Sequence, residues 1–321
     1  MTERVDTAVL ATSRQAGEGN ARMPLGHGTN AEIADPERAR ESQSIVNRHF
    51  SARAHYWEQV YAEATVYGVI HQERHRRALQ WIDELRLPEG SHVLEVGCGA
   101  GLLAADLFRR GFVVDCIDSS DAMVVLARAR LTTLDKRRRI TVSEGDVHSL
   151  RFADGTHDLV VALGVLPFLH SPAVALKEIA RVLRPGGRLL LSSDNPYRLT
   201  HLVDPRLTPL LAPGKRLVER IARRYRWGRD RMTVRALRYH TLANLLRGAG
   251  FEIGQRASLG FGPFTLFTRR LLPEGAAVAV HRRLQAMADH GAPILSVTGA
   301  QHLVLATLTA PLRSADNLSS A

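Results

Sequence analysis

The residues best placed to do chemistry sit at the end of one apolar run. Residues 93–96 are Val, Leu, Glu and Val, and they lead directly into Gly97, Gly99 and Gly101, after which a helical pattern begins. A strand that ends in a glycine turn and opens a helix leaves backbone N–H groups and the helix N-terminus facing a nucleotide-like ligand. The spacing differs from a dinucleotide fingerprint, because the third glycine of G-x-G-x-x-G falls on Leu102. Two further acids complete the set: Asp118 closes the next apolar run, about twenty positions on, and Asp146 follows Gly145.

A pyrophosphate needs the close backbone approach of the longer motif. Glycines at alternate positions, with Glu95 inside the strand end, suit a smaller zwitterionic ligand that carries positive charge. S-adenosylmethionine fits that description. Asp118 is then placed to accept from both ribose hydroxyls, Asp146 to accept from the adenine amine, and Val147 to pack on the ring. Each residue has a plainer reading. The glycines suit a tight turn in any doubly wound fold, Asp118 would serve a nicotinamide dinucleotide equally well, and Asp146 suits a turn at a strand end. Glu95 either meets the methionine amine or ties down the glycine loop.

The elements that must hold these residues follow in order. A helix is expected over 121–131, a third strand over 140–143, and a buried parallel strand over the apolar run 158–163. The next helix ends in Leu183-Arg184-Pro185-Gly186-Gly187, where Pro and paired Gly stop it and turn the chain into a fifth strand over 188–192. A capped helix over 241–247, ended by Gly248 and Gly250, leads to a sixth strand over 251–257, and 303–308 reads as the last strand.

Taken together, residues 93–101, Asp118, Gly145-Asp146-Val147 and 183–187 resemble the ordered motif set of class I S-adenosylmethionine-dependent methyltransferases. The resemblance covers about 75–195 and, more weakly, extends to 258. Within that superfamily it is most similar to the small-molecule branch of ubiquinone and menaquinone methyltransferases and natural-product tailoring enzymes. It implies an α/β, Rossmann-like seven-stranded sheet, mostly parallel with an antiparallel last strand, with helices on both faces, a helical N-terminal lid and inserted cap segments. It also implies S-adenosylmethionine as cofactor, held by Glu95, Gly97, Cys98, Gly99, Gly101, Asp118, Ser119, Met123, Asp146, Val147 and Leu163.

Composition sets limits around this core. The 321 residues are 45% hydrophobic, enough for a sizeable core, and carry a net charge of +11. No apolar run reaches transmembrane length, and residues 1–20 lack an apolar signal segment, so a cytoplasmic protein is expected. The two cysteines, Cys98 and Cys116, are too few for a disulfide framework or a metal site and fit a reducing compartment. Cys98 as a nucleophile is the alternative to a small residue lining the cofactor.

The expected organisation is a disordered leader over 1–40, lid helices over 41–88, the cofactor-binding core over 89–195, a basic cap insertion over 196–238, the rest of the sheet with a second insertion over 239–311, and a tail over 312–321. The lid segment concentrates aromatics in a chain with 6% overall. They read either as walls over the cofactor or as ordinary helix packing. The insertion over 196–238 holds most of the net charge, with Arg216, Arg220, Arg223, Arg224 and Arg226 among its cations. It suits a solvated helical face, a docking surface for an anionic or membrane-associated small-molecule acceptor, or a nucleic-acid patch.

Methyl transfer needs a nucleophile held in line with the sulfonium–methyl bond and water excluded, with a base only where the acceptor is a poor acid. Candidate bases at the carboxyl ends of the strands are His170, the one favoured, with His148 and Asp194, and the plainer reading of His170 is a cap or surface histidine just before the helix at Ser171. Apolar walls are expected from 166–169 and 261–264. His71 and His75, four residues apart, invite a metal reading, but no third ligand lies nearby and a lid-helix face is the simpler one. An RNA-modifying methyltransferase is the alternative function. Against it, the box that stacks a flipped base after the fourth strand is replaced here by 162–168, Ala-Leu-Gly-Val-Leu-Pro-Phe. Oligomeric state is not legible.

Overall fold

The computed structural model describes residues 35–134, 139–204, 208, 234–267 and 269–309. Thus residues 1–34 of the expected leader, most of the basic insertion and the tail lie outside the described residues.

In chain order the elements are α1 (Pro36–Ser51), α2 (Ala54–Gln59), a short 3-10 turn (Val60–Ala62), α3 (Val66–Glu84), β1 (His92–Val96), α4 (Leu102–Arg109), β2 (Val113–Asp118) and α5 (Asp121–Thr132). They continue with β3 (Ile140–Glu144), β4 (His157–Ala162), a second 3-10 turn (Leu166–Phe168), α6 (Pro172–Val182), β5 (Leu183–Asp194), α7 (Leu199–Val203) and α8 (Tyr239–Gly248). The last are β6 (Phe251–Leu259), β7 (Thr265–Leu266), β8 (Arg269–Arg270), α9 (Glu274–Asp289), α10 (Leu295–Thr298) and β9 (Gln301–Leu308).

Seven strands form one sheet in the order β3-β2-β1-β4-β5-β9-β6. The first five are parallel, and β9 runs antiparallel between β5 and β6, so the expected architecture holds. Strand order reverses between β1 and β4, and the carboxyl ends that meet there carry the glycine turn and the loop after Ala162. Ligands bind at such a switch point in open α/β sheets.

The period-2 alternation of strands assigns each side chain to a face. Leu94, Val96, Val160, Ala162, Leu189, Leu191, Val304 and Ala306 pack with α6 and α8. Their neighbours Val93, Leu159, Val161, Leu190, Leu303 and Leu305 pack with α3, α4 and α5 on the other side. Leu159, Val160 and Leu190 are fully buried, and each such side chain contributes about 1.5–3 kcal/mol of hydrophobic stabilisation.

Helix starts follow from local chemistry. Asp35 caps α1 by accepting from the Glu37 N–H, with Pro36 in the first turn, so the helix begins inside the segment expected to lack structure. Ser120 caps α5 and Ser171, followed by Pro172, caps α6. β5 is longer than expected: Leu183 already pairs with His157, and Arg184–Gly187 bulges before pairing resumes at Arg188.

Candidate functional site

The glycine turn is built by backbone conformation. Gly97, Gly99 and Gly101 all take positive φ, at 66°, 53° and 74°, a region that side chains with a Cβ enter at a cost. At Gly97 an added Cβ would meet Val165 Cγ2 at 2.5 Å, so the turn packs directly on the loop after β4. At Gly99 nothing lies within 4 Å, and that space belongs to a cavity of about 440 Å³.

Asp118 locks the turn in place. Its Oδ2 accepts from the Gly99 N–H at 2.9 Å and its Oδ1 from the Ser120 N–H at 2.9 Å. Burial raises its pKa, although these backbone donors, with that of Ser119, oppose the rise. Glu95 is buried, and its Oε2 has no hydrogen-bond partner. Burial first, and then the charge of Asp118, push its carboxyl up to about 8. Both acids line the cavity.

Asp146 also lines it, half exposed, with Oδ1 accepting from the His148 N–H at 2.9 Å and paired with the His148 ring at 2.6 Å. Burial alone would raise this carboxyl, but the His148 contacts outweigh it and hold it below the ordinary range. Gly97, Cys98, Ser119, Met123, Val147 and Leu163 complete the candidates found in the wall. Gly101 is not in the wall and caps α4 instead, a conformational role. The Cys98 thiol is buried, and its contact with Cys116, followed by burial, raises its pKa well above the ordinary value, which disfavours a nucleophile.

The lid helices cover the other side. Gln43 Nε2 donates to Ser119 Oγ at 3.1 Å, and Ser119 Oγ donates to Asn47 Oδ1 at 2.8 Å, seating α1 beside Asp118. Arg130 on α5 bridges the turn and α2, through Ala100 O and Glu58. Phe50 packs edge-on to Phe168 at 5.0 Å and against Trp57 at 5.6 Å. Tyr56, Trp57, Tyr61, Tyr67, His71 and Arg74 extend this wall toward Asp194, Arg198 and Gln301 at the ends of β5 and β9.

Residues 94–191 match a family model described as a methyltransferase domain. An uncharacterized 37.1 kDa protein in transposon TN4556 of Streptomyces fradiae is 35% identical over 177 residues, covering 54% of this chain and 46% of that protein. A ubiquinone biosynthesis O-methyltransferase of Pseudomonas paraeruginosa is 33% identical over 149 residues, covering 46% of this chain and 61% of the relative.

The core of this chain is a class I S-adenosylmethionine-dependent methyltransferase domain. The chain spans about half the length of these curated relatives. Two solved structures share the domain's fold. Magnesium protoporphyrin IX methyltransferase from Synechocystis PCC 6803 with bound SAH has a TM-score of 0.55 at 18% identity, covering 83% of this chain and 99% of that one. The [4+2]-cyclase SpnF has a TM-score of 0.53 at 21% identity, covering 83% and 95%.

S-adenosylmethionine is the cofactor of this methyltransferase domain, and the residues present fit it. The open space beside Gly99 and the partnerless Oε2 of Glu95 leave room for a ligand and a place for positive charge. Asp118 and Asp146 would hold the ribose and adenine ends, with Val147 and Leu163 as apolar contacts.

At the acceptor end the methyltransferase domain departs from expectation in two places. His170 does not line the cavity. The 3-10 turn buries Leu166 and gives Val165, Pro167, Phe168 and Leu169 to the wall, while the His170 ring stacks on His148 with centroids 3.6 Å apart. The second apolar wall comes from Gly262 and Pro263, since Phe261 is buried in a separate cluster and Phe264 is not in the wall. His71 and His75 do not converge on a metal: the His71 ring contacts Tyr67 O and the His75 ring contacts Asp106 Oδ2 at 2.8 Å. Among the described residues, no cluster of three His, Cys, Asp or Glu could hold one.

Proposed function

We propose that the protein transfers a methyl group to an oxygen or carbon of a small-molecule acceptor by in-line displacement. Bound S-adenosylmethionine supplies a methyl group made electrophilic by its sulfonium charge. One observation carries the reading: a single cavity runs from the glycine turn, Asp118 and Asp146 to the aromatic wall of Phe50, Trp57, Tyr67 and Phe168. The first end suits a nucleoside and the second a mostly apolar acceptor, so both reactants share one compartment under the lid.

Positioning and water exclusion are the residues' main contribution. Burial, followed by the neighbouring Arg74 charge, lowers the His71 pKa to about 3, and burial raises that of the Tyr67 phenol, so neither is tuned to take a proton near neutrality. An acceptor that ionises easily, a phenol or an enolisable carbon, matches such a site. The ubiquinone O-methyltransferases among the relatives support oxygen as the acceptor atom. The buried free thiols of Cys98 and Cys116 support a reducing, cytoplasmic setting. Among the described residues no helix is long and apolar enough to cross a membrane.

The test has two arms. Calorimetry should show S-adenosylhomocysteine binding, and methyl-labelled donor incubated with a small-molecule extract should give labelled products by mass spectrometry. Binding of NAD in place of S-adenosylhomocysteine would defeat the proposal.

A further inference from the structure

The His148 side chain is buried, with 7% of its surface exposed, yet it is not in the cavity wall. From there it does not reach an acceptor as a base. What it reaches is Asp146, which lines the cavity with about half of its side chain exposed.

Both hydrogen bonds that hold the Asp146 side chain end on one oxygen. Oδ1 accepts from the His148 N–H at 2.9 Å, the turn an aspartate makes with the backbone two residues on, and it pairs with His148 Nδ1 at 2.6 Å. Asp118 differs, because backbone donors take both of its oxygens. Asp146 therefore keeps Oδ2 for a donor in the cavity.

The His148 ring is fixed at both nitrogens and on one face. Nε2 accepts from the Ser171 N–H at 3.4 Å, so Nε2 carries the lone pair and Nδ1 the proton that it donates to Asp146. The His170 ring stacks on it, with centroids 3.6 Å apart and planes 27° apart. His170 is tied down in turn, since its carbonyl oxygen accepts from Arg235 Nη2 at 2.9 Å.

A carboxylate pinned through one oxygen presents the other in a fixed direction. Of the two bonds on Oδ1, the one from the ring is the one anchored outside the turn. A hydrogen bond to a carboxylate is about twice as strong as one between neutral groups. Without the ring, only the turn bond would hold a half-exposed side chain, and Oδ2 would be free to swing.

We infer that His148 is a positioning residue for adenine recognition: seated by Ser171 and His170, it aims Oδ2 of Asp146 at the exocyclic amine of the donor. This rests on reading Asp146 as the residue at the adenine end. Base discrimination then depends on the loop that also walls the acceptor, because His170 and Ser171 directly follow Pro167, Phe168 and Leu169 in that wall.

A site built to bond an amine rejects a ligand that lacks it. The experiment measures, by calorimetry on the full chain, the affinity for S-adenosylhomocysteine relative to S-inosylhomocysteine, which has a carbonyl oxygen in place of the amine. The wild-type ratio should be at least thirtyfold. His148→Phe keeps a ring to stack on His170 but loses the donor, and it should cut the ratio at least fivefold. His148→Asn loses the ring but keeps an N–H close to the place of Nδ1, and its ratio should stay within twofold of wild type. A ring that only packs would give the opposite order. Asp146→Ala sets the floor, and adding His148→Phe to it should move the ratio less than twofold.

Melting curves report whether each variant is folded, and where one His148 variant does not fold the other decides. A ratio changed less than twofold by His148→Phe, or cut as far by His148→Asn, would overturn the inference. A wild-type ratio near one, or one that Asp146→Ala leaves unchanged, would instead remove Asp146 from the adenine end and the inference with it. Failure to bind S-adenosylhomocysteine at all would remove the methyltransferase reading beneath both.

Discussion

The Gly99 N–H donates to Asp118 Oδ2 at 2.9 Å, so the glycine turn after β1 and the acid that ends β2 form one unit before any ligand arrives. The carboxylate proposed to hold a ribose also fixes the loop beside it. Asp118→Asn therefore removes a charged acceptor from both jobs. Charge-assisted hydrogen bonds contribute about 1.5–3 kcal/mol, which corresponds to a loss of about 10- to 150-fold in S-adenosylhomocysteine affinity by calorimetry. The fold itself should survive, with a melting temperature a few degrees lower. Unchanged affinity would remove Asp118 from the donor site.

Glu95 gives a prediction in pH. Its carboxyl is raised from 4.5 to about 8 in the folded protein without ligand. A raised carboxyl favours folding fully below its unfolded pKa, and that contribution is lost as pH rises through the folded pKa. The ligand-free protein should therefore melt progressively lower between about pH 5 and pH 8, and Glu95→Gln should flatten that part of the curve.

Binding of a cationic ligand beside Glu95 reverses the preference and favours the carboxylate. At pH 7, S-adenosylmethionine binding should release close to one proton, measured by calorimetry in buffers of different ionisation enthalpy, and Glu95→Gln should abolish the release. If Glu95 only ties down the loop, the wild-type proton count at pH 7 will be near zero.

His170 stacks on His148 and lies outside the cavity wall, so His170→Ala is expected to leave kcat within about threefold of wild type. Its effect should appear in donor affinity, through the His148 ring that pairs with Asp146. A loss of a hundredfold or more in kcat, with a missing limb in the pH profile, would restore His170 as a general base.

Much of this was legible because it is local. The glycine turn, Asp118, and the apolar runs of β1, β2 and β4 all act within a few residues of themselves, and the structure keeps them where spacing puts them. What pattern could not show depends on distant partners. Gln43 and Asn47 are ordinary helix residues until the fold brings Ser119, more than seventy positions away, between them. Arg74 is one cation on a charged helix, and its burial in the cavity wall becomes visible only in the fold. The expected walls failed for a related reason: a run of apolar residues does not say which members face a cavity and which, like Leu166 and Phe261, face the core.

The lid should be energetically coupled to the loop after β4. Phe50 on α1 and Phe168 in the 3-10 turn meet edge-on at 5.0 Å, and both line the cavity. Aromatic edge pairs contribute about 0.5–1.5 kcal/mol beyond the burial of their area. Phe50→Ala removes the pair and opens the wall to water, so the acceptor KM should rise about five- to tenfold while kcat changes less, since the donor-side residues are untouched. Phe168→Ala should act in the same direction. Because the two rings share one contact, the double variant should fall short of the sum by about 0.5–1.5 kcal/mol in a double-mutant cycle on KM. Strict additivity would mean that α1 covers the cavity without gripping the loop, and the lid would then act only as a screen against solvent.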